Sequence, residues 1–107
     1  MPTRIRELTV ISHAELVDST ALAKRDADLA HDLTRTAFRR MASVFEGYGG
    51  TVLESRGDAL VARFVRASDA VCAAVDYQTQ EAQLRAENGE EPDLYIRIGL
   101  KIGRAHV

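Results

Sequence analysis

Two short stretches hold the residues best suited to chemistry: HAELVDST, from His13 to Thr20, and RGDALVARF, from Arg56 to Phe64. Each places a carboxylate where an apolar, strand-forming run gives way to a turn. Glu15 closes the first run, and Asp58 sits between two later ones. Two carboxylates held on adjacent strand ends make a site for a hard divalent cation, because such ions take oxygen ligands. The cation in turn points to a phosphate-bearing substrate, whose charge it would neutralise. Taken alone, Asp58 after Gly57 also reads as a turn residue, since Asp tolerates such turns. His13 precedes Glu15 by two and so shares its strand face. No further ligand follows at a spacing that would complete a zinc site.

The elements that must position these residues can be read along the chain. Leu8 to Ile11 is apolar and β-prone. Asp18 and Ser19 are good caps for a short helix over Thr20 to Lys24. From Ala27 to Glu46 the pattern is helical, with Leu29, Leu33, Ala37, Met41 and Val44 as its apolar stripe, and Gly47 and Gly49-Gly50 end it. Thr51 to Ser55 and Ala59 to Phe64 read as a hairpin turning at Gly57-Asp58. Ser68 and Asp69 open a second long helix, whose buried side is expected at Val71, Ala74, Val75 and Gln78. After the Asn88-Gly89 and Pro92 turn, Leu94 to Leu100 forms a strand with Leu94, Ile96 and Ile98 facing one way and Tyr95 and Arg97 the other. The order β, helix, helix, β, β, helix, β predicts an α+β fold: a ferredoxin-like sandwich, with a small antiparallel sheet packed by two long helices.

Composition sets the outer limits. At 107 residues the chain is one domain at most. With 46% hydrophobic and 28% charged residues it has the make-up of a globular protein, and no apolar run approaches the ~20 residues of a membrane span. The net charge of −2 gives no global field toward nucleic acid or an acidic membrane, so neither is expected as a partner. Arg39-Arg40 reads as a solvated pair and His31 as a solvated residue. Cys72 is the single cysteine, so no intrachain disulfide can form, and beside Val71 it reads as a small core hydrophobe. These features predict a cytoplasmic location, or the cytoplasmic side of a larger membrane protein. The last six residues, IGRAHV, match the translation of a common sequencing-adapter oligonucleotide. Residues 1–101 are therefore expected to be part of a longer domain, and Ile102 to Val107 to be non-native read-through.

The ordered motifs support a sharper reading. HAELVDST, the FEGYGG stretch before a strand, RGDALVARF, the SDAV helix start and RIGL together resemble the N-terminal half of a class III adenylate/guanylate cyclase catalytic domain of bacterial type. The similarity runs from about Glu7 to Leu100. It implies conversion of ATP or GTP to a cyclic nucleotide and pyrophosphate in intracellular signalling, by a phosphorus-oxygen lyase using two Mg²⁺ or Mn²⁺ ions. It implies Glu15 and Asp58 as metal ligands. It also implies that the backbone from Leu16 through Val17, Asp18 and Ser19 to Thr20 cradles phosphate oxygens at a helix start. Glu54 stands where the family commonly has a base-reading lysine.

The resemblance also carries departures. The family's leading aspartate is Glu15 here, one methylene longer, which predicts a preference for Mn²⁺ over Mg²⁺. A family glycine is replaced by Asp18. The family's transition-state asparagine and arginine lie in the second half of the domain, and its active site forms across a homodimer. The chain is therefore expected to be inactive alone. A second function fits the same departures: a catalytically degenerate nucleotide-sensing or dimerisation module that regulates an attached domain.

Overall fold

The computed structural model describes residues 6–17, 24, 26–88 and 95–106. Strand β1 (Arg6–Val17) leads into helix α1 (Ala27–Gly47). The hairpin of β2 (Thr51–Ser55) and β3 (Ala59–Phe64) follows, then helix α2 (Ala67–Asn88) and strand β4 (Tyr95–His106). The four strands form one sheet in the order β2-β3-β1-β4, and every neighbouring pair is antiparallel. The α+β, ferredoxin-like architecture expected from the pattern is present. The proposed short helix from Thr20 to Lys24 falls outside the described residues except for Lys24, which is helical.

Both long helices pack on one face of the sheet. Alternation along β1 sends Val10, Ser12 and Ala14 into that interface, where all are buried. They meet Ala37, Phe38, Met41 and Phe45 of α1, Leu60, Ala62 and Phe64 of β3, and Ala70, Ala73 and Tyr77 of α2. The alanines matter here. Small side chains on α2 let its backbone approach the central strands, while Phe38, Phe45, Phe64 and Tyr77 fill the remaining volume. Three polar contacts fix the layers: Arg40 of α1 pairs with Glu81 of α2 at 2.6 Å, the Tyr48 hydroxyl donates to Asp76 at 3.0 Å, and the Gln78 amide donates to the carbonyl of Ile96 at 2.8 Å.

The helix phases differ from those expected. Leu29 and Leu33 are exposed, and the buried stripe of α1 runs instead through Ala30, Thr34, Ala37, Phe38, Met41 and Phe45. On α2, Val71 and Val75 are exposed and the buried positions are Ala70, Ala73 and Tyr77. Cys72 is exposed too, not a core residue. Ala37 and Met41 are buried as expected, while Leu29, Leu33, Val71 and Val75 give way to their smaller neighbours Ala30, Thr34, Ala70 and, two residues from both valines, Ala73.

Local chemistry explains the ends of the elements. Asp26 caps α1, its carboxylate accepting from the Leu29 N–H at 3.0 Å. Asp26→Ala is expected to cost about 1 kcal/mol, read as a lower denaturant midpoint with unchanged slope. At the other end the chain turns through Gly49, at φ +81°, a conformation that glycine adopts without strain. Gly50 then passes so close to the core that a Cβ there would lie 2.7 Å from the Phe64 ring and 2.8 Å from the Phe45 carbonyl oxygen. The Phe45 and Phe64 rings meet edge to face with centroids 5.5 Å apart. Among the described residues no helix is long and apolar enough to cross a membrane.

Candidate functional site

The face of the sheet opposite the helices carries the predicted carboxylate of β1. Strand β1 continues to Val17, well past Ile11, so Glu15 lies within the strand and does not close it. The extension follows from register: β1 is an interior strand, paired with β3 from Val10 to Glu15 and with β4 along its whole length. Alternation puts His13 and Glu15 on the open face, away from buried Ser12 and Ala14.

The register also brings the two acidic positions together. Glu15 pairs with Ala59, the residue directly after Asp58. The hairpin loop Arg56-Gly57-Asp58 is closed by the Arg56 N–H donating to the Ala59 carbonyl at 2.7 Å. It is tied to β1 by the Leu16 N–H donating to the Asp58 carbonyl at 3.3 Å. Positions 15 and 58, distant in sequence, thus sit at adjoining ends of neighbouring strands. Asp58 is exposed, and among the described residues its carboxylate has no hydrogen-bond partner.

The sequence reading missed the partner of Glu15. Arg97 of β4 lies directly across from it, and both its Nε, at 3.1 Å, and a terminal guanidinium nitrogen donate to Glu15 Oε1. Alternation in the sequence sets Arg97 on the opposite side from Ile96 and Ile98, but the register that makes it face Glu15 is not written in either segment. The hydrogen bonds from Arg97 and its positive charge hold the Glu15 carboxyl below the ordinary value of 4.5. A depressed carboxylate pKa favours the folded state above the unfolded-state value, and that contribution is lost as pH falls through the folded value. Arg97→Gln is expected to move the Glu15 titration upward toward 4.5, as read from its side-chain carboxyl shift by NMR.

The other predicted residues are placed as follows. Leu16 and Val17 extend β1 and do not open a helix, and the Leu16 N–H is taken by Asp58. Asp18, Ser19 and Thr20 lie outside the described residues. Glu54 is exposed on β2 and pairs with Arg56 at 2.6 Å. Among the described residues no three His, Cys, Asp or Glu side chains converge as a metal cage. Glu15 and Asp58 nevertheless suit a hard cation: both are oxygen donors, and both Arg97 bonds fall on Oε1, with no described residue bonded to Oε2 of Glu15. For Glu15 to grip an ion beside Asp58 it must share or release Arg97.

Neither a protein-family model nor a curated protein sequence matches the chain. Solved structures do. A bacterial light-regulated adenylyl cyclase aligns over 99% of this chain and 33% of its own, at 22% identity and a TM-score of 0.81. An adenylate/guanylate cyclase/hydrolase from Silicibacter pomeroyi aligns over 98% of this chain and 62% of its own, at 27% identity and a TM-score of 0.74. A dimeric guanylyl cyclase domain from the aquatic fungus Blastocladiella emersonii aligns over 99% of this chain and 63% of its own, at 19% identity and a TM-score of 0.75. The chain spans between a third and about two thirds of these structures. Its α+β sheet-and-helix arrangement is that of the class III adenylyl and guanylyl cyclase catalytic domain, as the ordered motifs implied.

Proposed function

We propose that this sequence is the metal-binding part of a nucleotidyl cyclase that converts ATP or GTP to a cyclic nucleotide and pyrophosphate. The observation that carries the reading is the β1–β3 register, with Glu15 opposite Ala59 and the Leu16 N–H on the Asp58 carbonyl. It supports a joint role for two carboxylates that the polymer separates by more than forty residues. Mg²⁺ or Mn²⁺ held there would supply charge neutralisation at the triphosphate and activation of the ribose hydroxyl. Hard cations of this kind use one or two carboxylates and complete their shell with substrate phosphates, so a pair of acidic residues is a sufficient protein contribution.

The chain's own residues divide the task. Asp58, on a three-residue loop with its carboxylate turned to solvent, is the freer ligand. Glu15 is the regulated one, since Arg97 competes for it. Arg97 is an exposed guanidinium on the same face as Glu15 and would be suited to a phosphate oxygen. Residues 1–101 then form part of a cyclase domain; Ile102 to His106, expected as read-through, continue β4 in step with β1. Dimerisation through the cyclase domain and a cytoplasmic location belong to the same reading, and the dimeric guanylyl cyclase neighbour supports the first.

The test is an assay for cAMP and cGMP with Mn²⁺, on this chain and on a longer polypeptide that contains it. Product from the longer polypeptide and none from the chain alone is expected. Tight Mn²⁺-nucleotide binding without product would favour the sensing module, for which the combination of Glu15, Asp18 and Glu54 is the motive.

A further inference from the structure

A second cationic feature lies on the helix side of the sheet, away from Glu15. Helix periodicity puts Arg35, Phe38, Arg39 and Ala42 on one flank of α1, and these line a cleft of about 290 Å³ with Ser55 at the end of β2 and Arg56 in the hairpin loop. Phe38 is 4% exposed and forms part of an apolar wall, while Arg35 and Arg39 reach solvent. Among the described residues only Arg56 of the three arginines has a carboxylate partner: Glu54 accepts from its Nε at 2.7 Å. Among the described residues neither Arg35 nor Arg39 forms an ion pair. The chain as a whole is acidic, with 16 Asp and Glu against 14 Lys and Arg, so this excess of positive charge is local.

Glu54 offsets the charge of Arg56, and the guanidinium groups of Arg35 and Arg39 around the same cleft repel each other unless a further anion sits among them. The planar fork of each matches two oxygens of a phosphate. A single carboxylate would satisfy one fork, whereas a chain of phosphates offers oxygens to all three. The volume is at the lower limit for ligand clefts, about 300 Å³, which suits a diphosphate and excludes a whole nucleotide. We propose that this cleft binds an oligophosphate anion, either free diphosphate or the phosphate tail of a nucleotide. The cleft contains neither Glu15 nor Asp58, although Arg56 shares its loop with Asp58, and Glu54 is its internal competitor through Arg56.

The experiment titrates the chain with sodium pyrophosphate in EDTA, where any metal-dependent site is silent, and follows amide shifts by NMR. Saturable shifts at Arg35, Arg39, Ser55 and Arg56 are expected. Arg35→Gln with Arg39→Gln should weaken binding at least about tenfold, since charge-assisted hydrogen bonds are lost. Glu54→Gln should tighten it a few fold by releasing Arg56, and Arg66→Gln, an exposed change outside the cleft, should leave it unaltered. ATP in EDTA shifting the same amides assigns the source to a nucleotide tail, and a response to pyrophosphate alone assigns it to the free anion. Shifts scattered over the surface, equal weakening by Arg66→Gln, or no binding at millimolar anion would overturn the proposal. Should the double variant fail to fold, as judged by circular dichroism, the shift map and the Glu54→Gln result decide it.

Discussion

Asp58→Ala is expected to lower Mn²⁺-dependent cyclic-nucleotide synthesis by the longer polypeptide by about two orders of magnitude or more, while leaving thermal stability within about 0.5 kcal/mol of the parent. The two halves of this expectation have separate physical grounds. What anchors the loop to β1 is the Asp58 main-chain carbonyl, which accepts from the Leu16 N–H, and alanine keeps that carbonyl. The side chain is exposed, and no described residue bonds to it, so its loss leaves no buried group unsatisfied. A ligand carboxylate, by contrast, has no substitute at this position, because among the described residues no third acidic side chain joins the pair. Turnover of the variant equal to that of the parent would remove Asp58 from the site. An equal fall in melting temperature and activity would mean that the loop had collapsed.

The second large effect concerns the fold. Gly50→Val is expected to destabilise the chain by about 3 kcal/mol or more, enough to leave a domain of this size largely unfolded at 37 °C. The added Cβ meets the Phe64 ring at 2.7 Å on one side and the Phe45 carbonyl oxygen at 2.8 Å on the other. The ring cannot swing away, since Phe64 is 1% exposed and packs edge to face on Phe45, itself fully buried. The main chain is equally confined, because the Gly50 N–H donates to that same Phe45 carbonyl at 2.8 Å. Gly47→Ala is the control: nothing lies within 4 Å of the position its Cβ would take, so a change of under about 1 kcal/mol is expected. Chemical denaturation of both variants checks the pair. Similar midpoints for the two would show that the close approach at Gly50 can relax.

These two residues show how much of the molecule is legible in its sequence. The hairpin was readable to the residue, because Thr51 to Ser55 and Ala59 to Phe64 are β-prone runs separated by a Gly-Asp turn. The first long helix is readable from Ala27 onward, because apolar residues recur there at steps of three and four and a glycine cluster follows. Strand β1 was underestimated. Its second half carries Ser12, His13, Ala14 and Glu15, which lack strand-forming bulk, and only its interior place in the sheet keeps it extended. Helix α2 was given the wrong face for a related reason. Alanine has little hydrophobic signal, yet Ala70 and Ala73 are buried because they are small, while Val71 and Val75 remain outside. The carboxylate pair could be nominated from turn chemistry and motif order. Its guanidinium partner could not, since the pairing of Glu15 with Arg97 depends on an alignment between strands eighty residues apart.

The two margins of the sheet are built differently. At one margin β2 offers only five residues, and its pairing with β3 slips between Val52 and Glu54, which bends the strand and spoils the repeat of its outward amides. At the other, β4 runs twelve residues in unbroken step with β1, and among the described residues no strand lies beyond it. Apart from the Ile96 carbonyl, which accepts from Gln78, an edge of that length is a template for pairing, whereas a short kinked one repels copying. Growth of this sheet by another strand, from the same polypeptide or from a neighbour, is therefore directional: it proceeds from β4 outward and is blocked at β2.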